Sequence, residues 1–229
     1  GALGFDVGGD GALELPGFRV LLVGRKVCDA GGAVSLGLAG LPSPGCSSGD
    51  MDDVDGIAVH RCAPAKGAAA PVAHRNRVVG IDHLVVRTPD WQRTKMAFAS
   101  VGLFPRRQSD GVRLGVVQLF YRAEAPQSPI IEVVGPAKPA AGGGGAELWG
   151  ITFSCADLDE THRLLEDCTG PPWKAVQPGR RITTLQRGKR EAVSMVLAFM
   201  SPHVRDETPA RERDAKDAAN ARAQEHELA

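Results

Sequence analysis

The sequence lacks an excess of charge of either sign, because 27 acidic residues balance 27 basic residues in a chain of 229. No global field therefore attracts a nucleic acid or an anionic membrane. Apolar runs are also too short for a membrane span, and the start has neither the basic region nor the apolar region of a secretion signal. We expect a cytoplasmic protein that binds neither nucleic acid nor membrane.

Cysteine pairs are missing as well. The five cysteines stand at wide and irregular spacing, and none belongs to a C-x-x-C motif. This pattern argues against a disulfide framework and against a structural zinc site. Reduced thiols in an intracellular protein are the interpretation that remains.

Large apolar residues are scarce at both ends of the chain. Residues 1–77 are rich in Gly, Ala, Pro and Ser, and their one strand-like stretch is GFRVLLVG at 17–24. Residues 204–229 mix both charges with Ala and offer no buried stripe. We expect a low-complexity, largely disordered N-terminal segment and a charged C-terminal tail around a folded domain at 78–203.

The domain has the same order of elements twice. In residues 78–137, VVGIDHLVVRT predicts a strand, Asp90 caps a helix, and three strands follow. A Gly-rich linker at 138–147 leads to residues 148–203, where the order returns and VQPGRR interrupts a strand pair or one bent strand. A period of about 65 residues aligns Asp90 with Asp157, which indicates an internal duplication.

The stretches GIDHLVVRTPD, IIEVVGP, AVQPGRRI and LAFMSP, within this repeat, resemble the vicinal oxygen chelate superfamily of glyoxalase I, bleomycin-resistance proteins and extradiol dioxygenases. They are most similar to a glyoxalase-like branch whose members generally lack an assigned reaction. The resemblance implies an α+β fold, in which two βαβββ modules form a cupped, barrel-like sheet with helices outside and ligand inside. It permits a homodimer, which the sequence leaves open.

In the metal-dependent families of this superfamily, the first and fourth strands of each module supply one metal ligand each. His83 and Glu132 match this pattern in module one, but Gly150 and Ala198 stand at the equivalent positions of module two. Two protein ligands make an incomplete site. We therefore expect no metal and a hydrogen-bonded or ionic pair of His83 with Glu132, with one divalent metal (Zn, Ni, Mn or Fe) on this pair as the alternative.

Period-2 alternation places a polar face inside the cup, where buried polar groups need partners or a ligand. The predicted ligand-binding residues are Arg87, Gln118, Phe120, Arg122, Trp149, Gln177 and Arg180. In VQPGRR, the two arginines are predicted to clamp an anion at the mouth of the cup, and a hairpin turn with solvated arginines is the alternative. Trp149 either lines the cup or packs at its rim, and Cys155 is predicted to lie in the core.

We expect the cup to bind a small oxygenated molecule, a carbonyl or carboxylate compound. If the protein is an enzyme, we expect a lyase, isomerase or hydrolase with Glu132 as base and His83 as its partner or as a metal ligand. A non-catalytic, ligand-sequestering protein of the resistance type and a structural or interaction module are the alternatives. The sequence does not identify the substrate.

Overall fold

The computed structural model describes residues 3–9, 12–15, 18–21, 35–39, 51–62, 73–111, 115–122, 128–139, 142–186 and 195–202. The predicted C-terminal tail, residues 204–229, lies outside these ranges. No helix within them is both long and apolar enough to cross a membrane.

Five short strands lie in the described part of residues 1–77. They are β1 (Ala12–Leu15), β2 (Phe18–Leu21), β3 (Ser35–Ala39), β4 (Met51–Val54) and β5 (Ile57–Cys62). β1 and β2 pair antiparallel, and the other three form a sheet in the order β3-β5-β4. Only β2 was predicted, so four strands are added to a segment that composition predicts to be largely disordered. Their apolar side chains, such as the fully buried Val54 and Val59, join the core of the main domain.

The repeated elements follow. Module one consists of β6 (Val78–Arg87), α1 (Trp91–Ser100), β7 (Arg107–Gly111), β8 (Val116–Arg122) and β9 (Ile130–Pro136). Module two consists of β10 (Glu147–Cys155), α2 (Leu158–Leu164), β11 (Trp173–Lys174), β12 (Arg181–Thr184) and β13 (Val196–Met200). The strand pair predicted around VQPGRR is therefore present as β11 and β12.

All eight strands of the two modules form one sheet, in the order β11-β12-β13-β10-β6-β9-β8-β7. Within each module the first strand lies beside the fourth and parallel to it, and the two first strands, β6 and β10, pair antiparallel at the centre. Among the described strands, β7 and β11 are the edges, so the sheet is a cup that does not close into a barrel. This is the α+β fold of two βαβββ modules in a cupped sheet that the resemblance implied.

The predicted alignment of the two modules is confirmed by strand register. In module one, His83 lies two residues before the partner of Glu132 on the neighbouring strand. In module two, Gly150 stands in the same relation to the partner of Ala198. The first and fourth strands of the two modules therefore share one register, with glycine and alanine where the first module has histidine and glutamate.

Both helices begin at the predicted aspartates. The Asp90 carboxylate accepts hydrogen bonds from the backbone N–H groups of Gln92 and Arg93, and Asp157 accepts from that of Glu160. Each carboxylate thus satisfies N–H groups that lack a partner within the helix. The repeated cap fixes where each helix leaves its first strand.

The helices pack on one face of the sheet, here called the outer face. Phe98 of α1 is fully buried, and its ring centroid lies 5.0 Å from that of Tyr121 on β8. In module two, buried Leu158 of α2 joins the same core as Phe153 and Cys155 of β10, which confirms the core position predicted for Cys155. The opposite face, here called the inner face, remains for a ligand.

The end of the Gly-rich linker is packed against the turn between β4 and β5. Asp55 and Gly56 of that turn have positive φ values of 55° and 90°, as in a type I′ hairpin. The Asp55 carbonyl accepts a hydrogen bond from the backbone N–H of Ala146, and a Cβ on Gly145 would lie 2.6 Å from the same oxygen. Position 145 therefore requires glycine, because a Cβ would come too close to the Asp55 carbonyl oxygen.

Candidate active site

The inner face carries the polar wall that alternation predicted. On β8, half-buried Gln118 and Phe120 flank fully buried Leu119, and on β9 half-buried Glu132 precedes fully buried Val133. Successive side chains of a strand point to opposite faces, so Gln118, Phe120 and Glu132 share the face away from the helices. Gln118 and Glu132 touch, because the Gln118 Nε2 donates a hydrogen bond of 2.6 Å to Glu132 Oε1.

A β-bulge in β6 places a second carboxylate beside His83. In the pairing of β6 with β10, His83 lies opposite Thr152, but Ile81 lies opposite Phe153, so Asp82 has no partner residue. Such an extra residue breaks the alternation of the strand. Asp82 and His83 consequently lie on the same side, and His83 Nδ1 is 2.9 Å from Asp82 Oδ1.

The other ring nitrogen of His83 faces module two and β9. Its Nε2 is 2.9 Å from the Thr152 hydroxyl and 3.8 Å from Glu132 Oε2. The side chains of His83 and Glu132 are 12% and 15% exposed, so both are sheltered yet open to the inner face. The structure thus brings together the two residues predicted as base and partner, and it adds Asp82 on the far side of the ring.

Asp82 is held in turn by an arginine from module two. Arg180 Nη2 lies 2.7 Å from Asp82 Oδ2, and the guanidinium also donates to the Ser201 carbonyl from Nε and Nη2, at 3.0 and 2.8 Å. Burial alone would raise the pKa of Asp82, but hydrogen bonds and charge attraction from His83 and Arg180 outweigh it and lower that pKa to about 2. Asp82 is therefore a carboxylate at neutral pH.

Arg180 is not at the mouth of the cup, where it was predicted. Only 4% of its side chain is exposed, because the turn that carries it folds the guanidinium inward onto Asp82. Arg181 points outward instead and pairs with Asp159 of α2. VQPGRR is a turn with Gly179 at a φ of 73°, and its two arginines serve different ion pairs rather than one anion clamp.

Three site residues were missed by sequence reasoning. Strict alternation puts Asp82 on the face opposite His83, and only the bulge brings the two together. Thr152 and Ser154 of β10 lie opposite the outward Phe153, so alternation could have indicated both, and Ser154 Oγ lies 3.4 Å from Asp82 Oδ2. As residue types, the threonine and the serine did not by themselves indicate a functional site.

The remaining predicted residues lie toward the ends of the inner face. Arg87 is exposed, pairs with Glu147 at 2.6 Å, and has its guanidinium carbon 5.9 Å from the ring centroid of Trp149, which is 38% exposed. Arg122 is exposed at the end of β8 and donates to the Ser128 carbonyl.

Gln177 stands apart from the inner-face residues as well. It lies exposed in the turn between β11 and β12, where its carbonyl accepts a hydrogen bond from the backbone N–H of Arg180. The structure therefore gathers four predicted residues around one point, namely His83, Gln118, Phe120 and Glu132. Arg180 is connected to His83 through Asp82.

A cavity of about 540 Å³ opens at the end of the inner face. Its lining includes Arg87, Gly115, Val116, Val134, Pro136 and Glu147. His83 and Glu132 are not part of this lining, but Val134 follows Glu132 by two residues on the same side of β9. Two residues of strand span about 7 Å, so a ligand in the cavity would have to be elongated to reach Glu132.

The side chains around His83 do not fit a divalent metal. Both ring nitrogens of His83 lie at hydrogen-bonding distance from protein atoms, and a Cβ built on Gly150 would already lie 3.0 Å from the Val196 carbonyl oxygen. Within the described ranges, no three His, Cys, Asp or Glu side chains converge as a metal-binding group. Zinc centres of catalytic type take three protein ligands, and His83 and Glu132 would supply two.

Comparisons with known proteins find likeness in fold only. No family model matches the chain, and no curated protein matches it. A methylmalonyl-CoA epimerase from Mycobacterium tuberculosis is 14% identical with a TM-score of 0.43, and the match covers 55% of this chain and 89% of that one. A variant of the Streptomyces coelicolor methylmalonyl-CoA epimerase, in complex with 2-nitronate-propionyl-CoA, is 16% identical with a TM-score of 0.42 and coverages of 56% and 96%. A hypothetical protein from Bacillus halodurans C-125 is 15% identical with a TM-score of 0.41 and coverages of 56% and 97%.

Proposed function

We propose that the protein is an isomerase or lyase that binds a small oxygenated carbonyl or carboxylate compound on the inner face and moves protons on it. The observation that supports this most is the pairing of His83 Nε2 with Glu132 Oε2 at 3.8 Å on a sheltered face. Imidazole and carboxylate are the side chains that most often act as general acids and bases. The proposed unit is the domain at residues 78–203.

The surroundings of the pair suit a small molecule with one polar end. Phe120 on β8 and Ile130 on β9 are half-buried and offer apolar contact beside Glu132. Gln118 engages Glu132 Oε1, which leaves Oε2 as the carboxylate oxygen nearer to His83. A carbonyl compound that lies over Oε2 and Nε2, which are 3.8 Å apart, would have a proton acceptor beside the carbon next to its carbonyl group and an imidazole beside its carbonyl oxygen.

The proton balance assigns one role to each group. Glu132 Oε2 accepts the proton from the carbon beside the carbonyl, while protonated His83 gives its Nε2 proton to the carbonyl oxygen, so that the substrate becomes an enol. The reverse transfer, to the same carbon or a neighbouring one, completes an isomerisation and restores both side chains. In a lyase reaction, the enol would instead expel a leaving group from the carbon next to the deprotonated one, its O–H proton would return to His83 Nε2, and Glu132 would give its proton to the leaving group. Positioned proton transfer of this kind contributes about 10²–10⁴-fold to a rate.

The proposal can be tested with a panel of compounds before the substrate is identified. The full chain is incubated in D₂O with α-hydroxy ketones, 2-oxo acids and 2-hydroxy acids, and the loss of the signal of the hydrogen next to the carbonyl is followed by proton NMR. We expect exchange with at least one of these classes. Glu132→Gln and His83→Ala should each slow the exchange by about 10²-fold or more.

The matched control is Glu160→Gln, since Glu160 lies on the outer helix α2 and pairs with Arg163. It should exchange as fast as the wild type. Undiminished exchange by Glu132→Gln would refute the catalytic role. Stabilisation by a compound of the panel without any exchange would indicate a ligand-sequestering protein instead, and in that case Glu132→Gln should leave the affinity nearly unchanged.

A further inference from the structure

We propose that Asp82 and Arg180 are positioning residues, which hold His83 with a proton on Nδ1 and thereby make Nε2 the nitrogen that exchanges protons with a substrate. The assignment of Nε2 to the reaction rests on the function proposed above. The state of the imidazole ring can be measured without any substrate. The two ideas therefore fail independently.

The first step of the argument concerns the hydrogen bond at Nδ1. Asp82 Oδ1 lies 2.9 Å from Nδ1, and an ionised carboxylate accepts hydrogen bonds but cannot donate them. Nδ1 must therefore carry a proton whether the ring is neutral or charged. In the neutral ring, Nε2 then has the lone pair, and the Thr152 hydroxyl at 2.9 Å is placed to donate to it.

The second step concerns the orientation of Asp82. The carboxylate is itself only 16% exposed, and a buried carboxylate without a counter-charge would tend to take up a proton. Arg180 prevents this, because its guanidinium lies 2.7 Å from Oδ2 and is 4% exposed. The ion pair also fixes the carboxylate between two modules, since Asp82 belongs to β6 and Arg180 to the turn before β12.

The third step is the asymmetry of charge around the ring. The groups that face His83 are the Asp82 carboxylate at Nδ1, Glu132 at Nε2 and the Thr152 hydroxyl, with Arg180 behind Asp82. Asp82 is neutralised by a buried arginine. The side at Nδ1 is thus built to hold a proton, whereas the side at Nε2 opens onto the inner face. In a Ser-His-Asp catalytic triad, a buried aspartate likewise orients the histidine and fixes its tautomer, so that the other ring nitrogen exchanges protons.

The test is the tautomer of His83 in Asp82→Asn. The full chain is labelled with ¹⁵N-histidine, His83 is assigned by its loss in His83→Ala, and long-range proton–nitrogen correlation spectra report which nitrogen carries the proton. We expect the Nδ1-protonated tautomer in the wild type. In Asp82→Asn the amide N–H₂ group can donate to Nδ1, so the ring should change to the Nε2-protonated tautomer, and exchange activity should fall by about 10²–10⁴-fold.

The molecule supplies a matched control in Asp159→Asn, because Asp159 pairs with Arg181, the residue next to Arg180, on the outside. This variant should keep the wild-type tautomer and activity. If Asp82→Asn fails to fold, Arg180→Lys replaces it: the lysine retains a positive charge, and we expect the Nδ1-protonated tautomer to persist with a smaller loss of activity. An Nε2-protonated ring in the wild type, or an unchanged tautomer in folded Asp82→Asn, would overturn the proposal.

Discussion

Asp82→Asn should also change how the stability of the protein depends on pH. The pKa of Asp82 falls from an ordinary value of 3.8 to about 2 in the folded protein. At about 1.4 kcal/mol per pH unit, this difference corresponds to about 2 kcal/mol of unfolding free energy. Because the folded-state pKa lies below the unfolded value, the contribution is fully present above about pH 4 and is lost as the pH falls through 2.

The measurement is urea unfolding of the full chain at pH 6, 4, 3 and 2, for the wild type and for Asp82→Asn. At pH 6 the variant should be less stable, since it leaves the buried guanidinium of Arg180 without its counter-charge. Asparagine does not titrate, so the difference in unfolding free energy between the two proteins should shrink by about 2 kcal/mol between pH 6 and pH 2.

A constant difference across this pH range would refute the reasoning, because it would mean that Asp82 titrates alike in the folded and unfolded chain. Asp159→Asn is again the matched control. Its carboxylate also has a lowered pKa, owing to the hydrogen bond from Arg181, but the pair is exposed to solvent. Exposed pairs contribute little to stability, so this variant should follow the wild type at every pH.

Two further predictions concern packing. Gly145→Ala should destabilise the protein by about 1–3 kcal/mol in urea unfolding, since its Cβ would lie 2.6 Å from the Asp55 carbonyl oxygen. The control Gly144→Ala should not destabilise it, because no atom lies within 4 Å of the new methyl group. Equal effects of the two substitutions would mean that the linker does not pack against the turn at Asp55. Burial raises the pKa of the Cys155 thiol to about 11, so in the folded protein iodoacetamide at pH 8 should alkylate half-buried Cys168 much faster than Cys155, as peptide mass spectrometry would report. Comparable rates would place Cys155 outside the core.

The fold followed from features that a single chain displays locally. The aspartates of TPD and CAD marked the starts of both helices, and the alternation in VVQLFYR separated the buried side chains from those of the inner face. These signals depend on hydrogen bonds and side-chain directions within a few residues. The equivalence of Gly150 with His83 could also be predicted, because two repeated modules place equivalent residues at the same register of their strands.

Non-local contacts explain what the sequence did not predict. The Asp-Gly turn at 55–56 is a local hairpin signal, but its strands are short and become stable only by burial against the main domain, which their composition does not reveal. Likewise, the glycines before Glu147 have the composition of a flexible linker. Only the tertiary structure shows that Gly145 packs against the carbonyl group of Asp55, which lies in a distant part of the chain.

The sequence by itself determined the two modules and the polar inner face, because both depend on repetition and periodicity along the chain. The pairing of His83 with Glu132 was implied by the resemblance to the vicinal oxygen chelate superfamily. Only the tertiary structure decided the arrangement behind the histidine. Asp82, which has no partner residue on β10, lies on the inner face beside His83, and a turn almost a hundred residues later brings Arg180 to it. Alternation cannot predict a bulge, since a bulge inserts an extra residue into one of two paired strands and thereby interrupts the two-residue period.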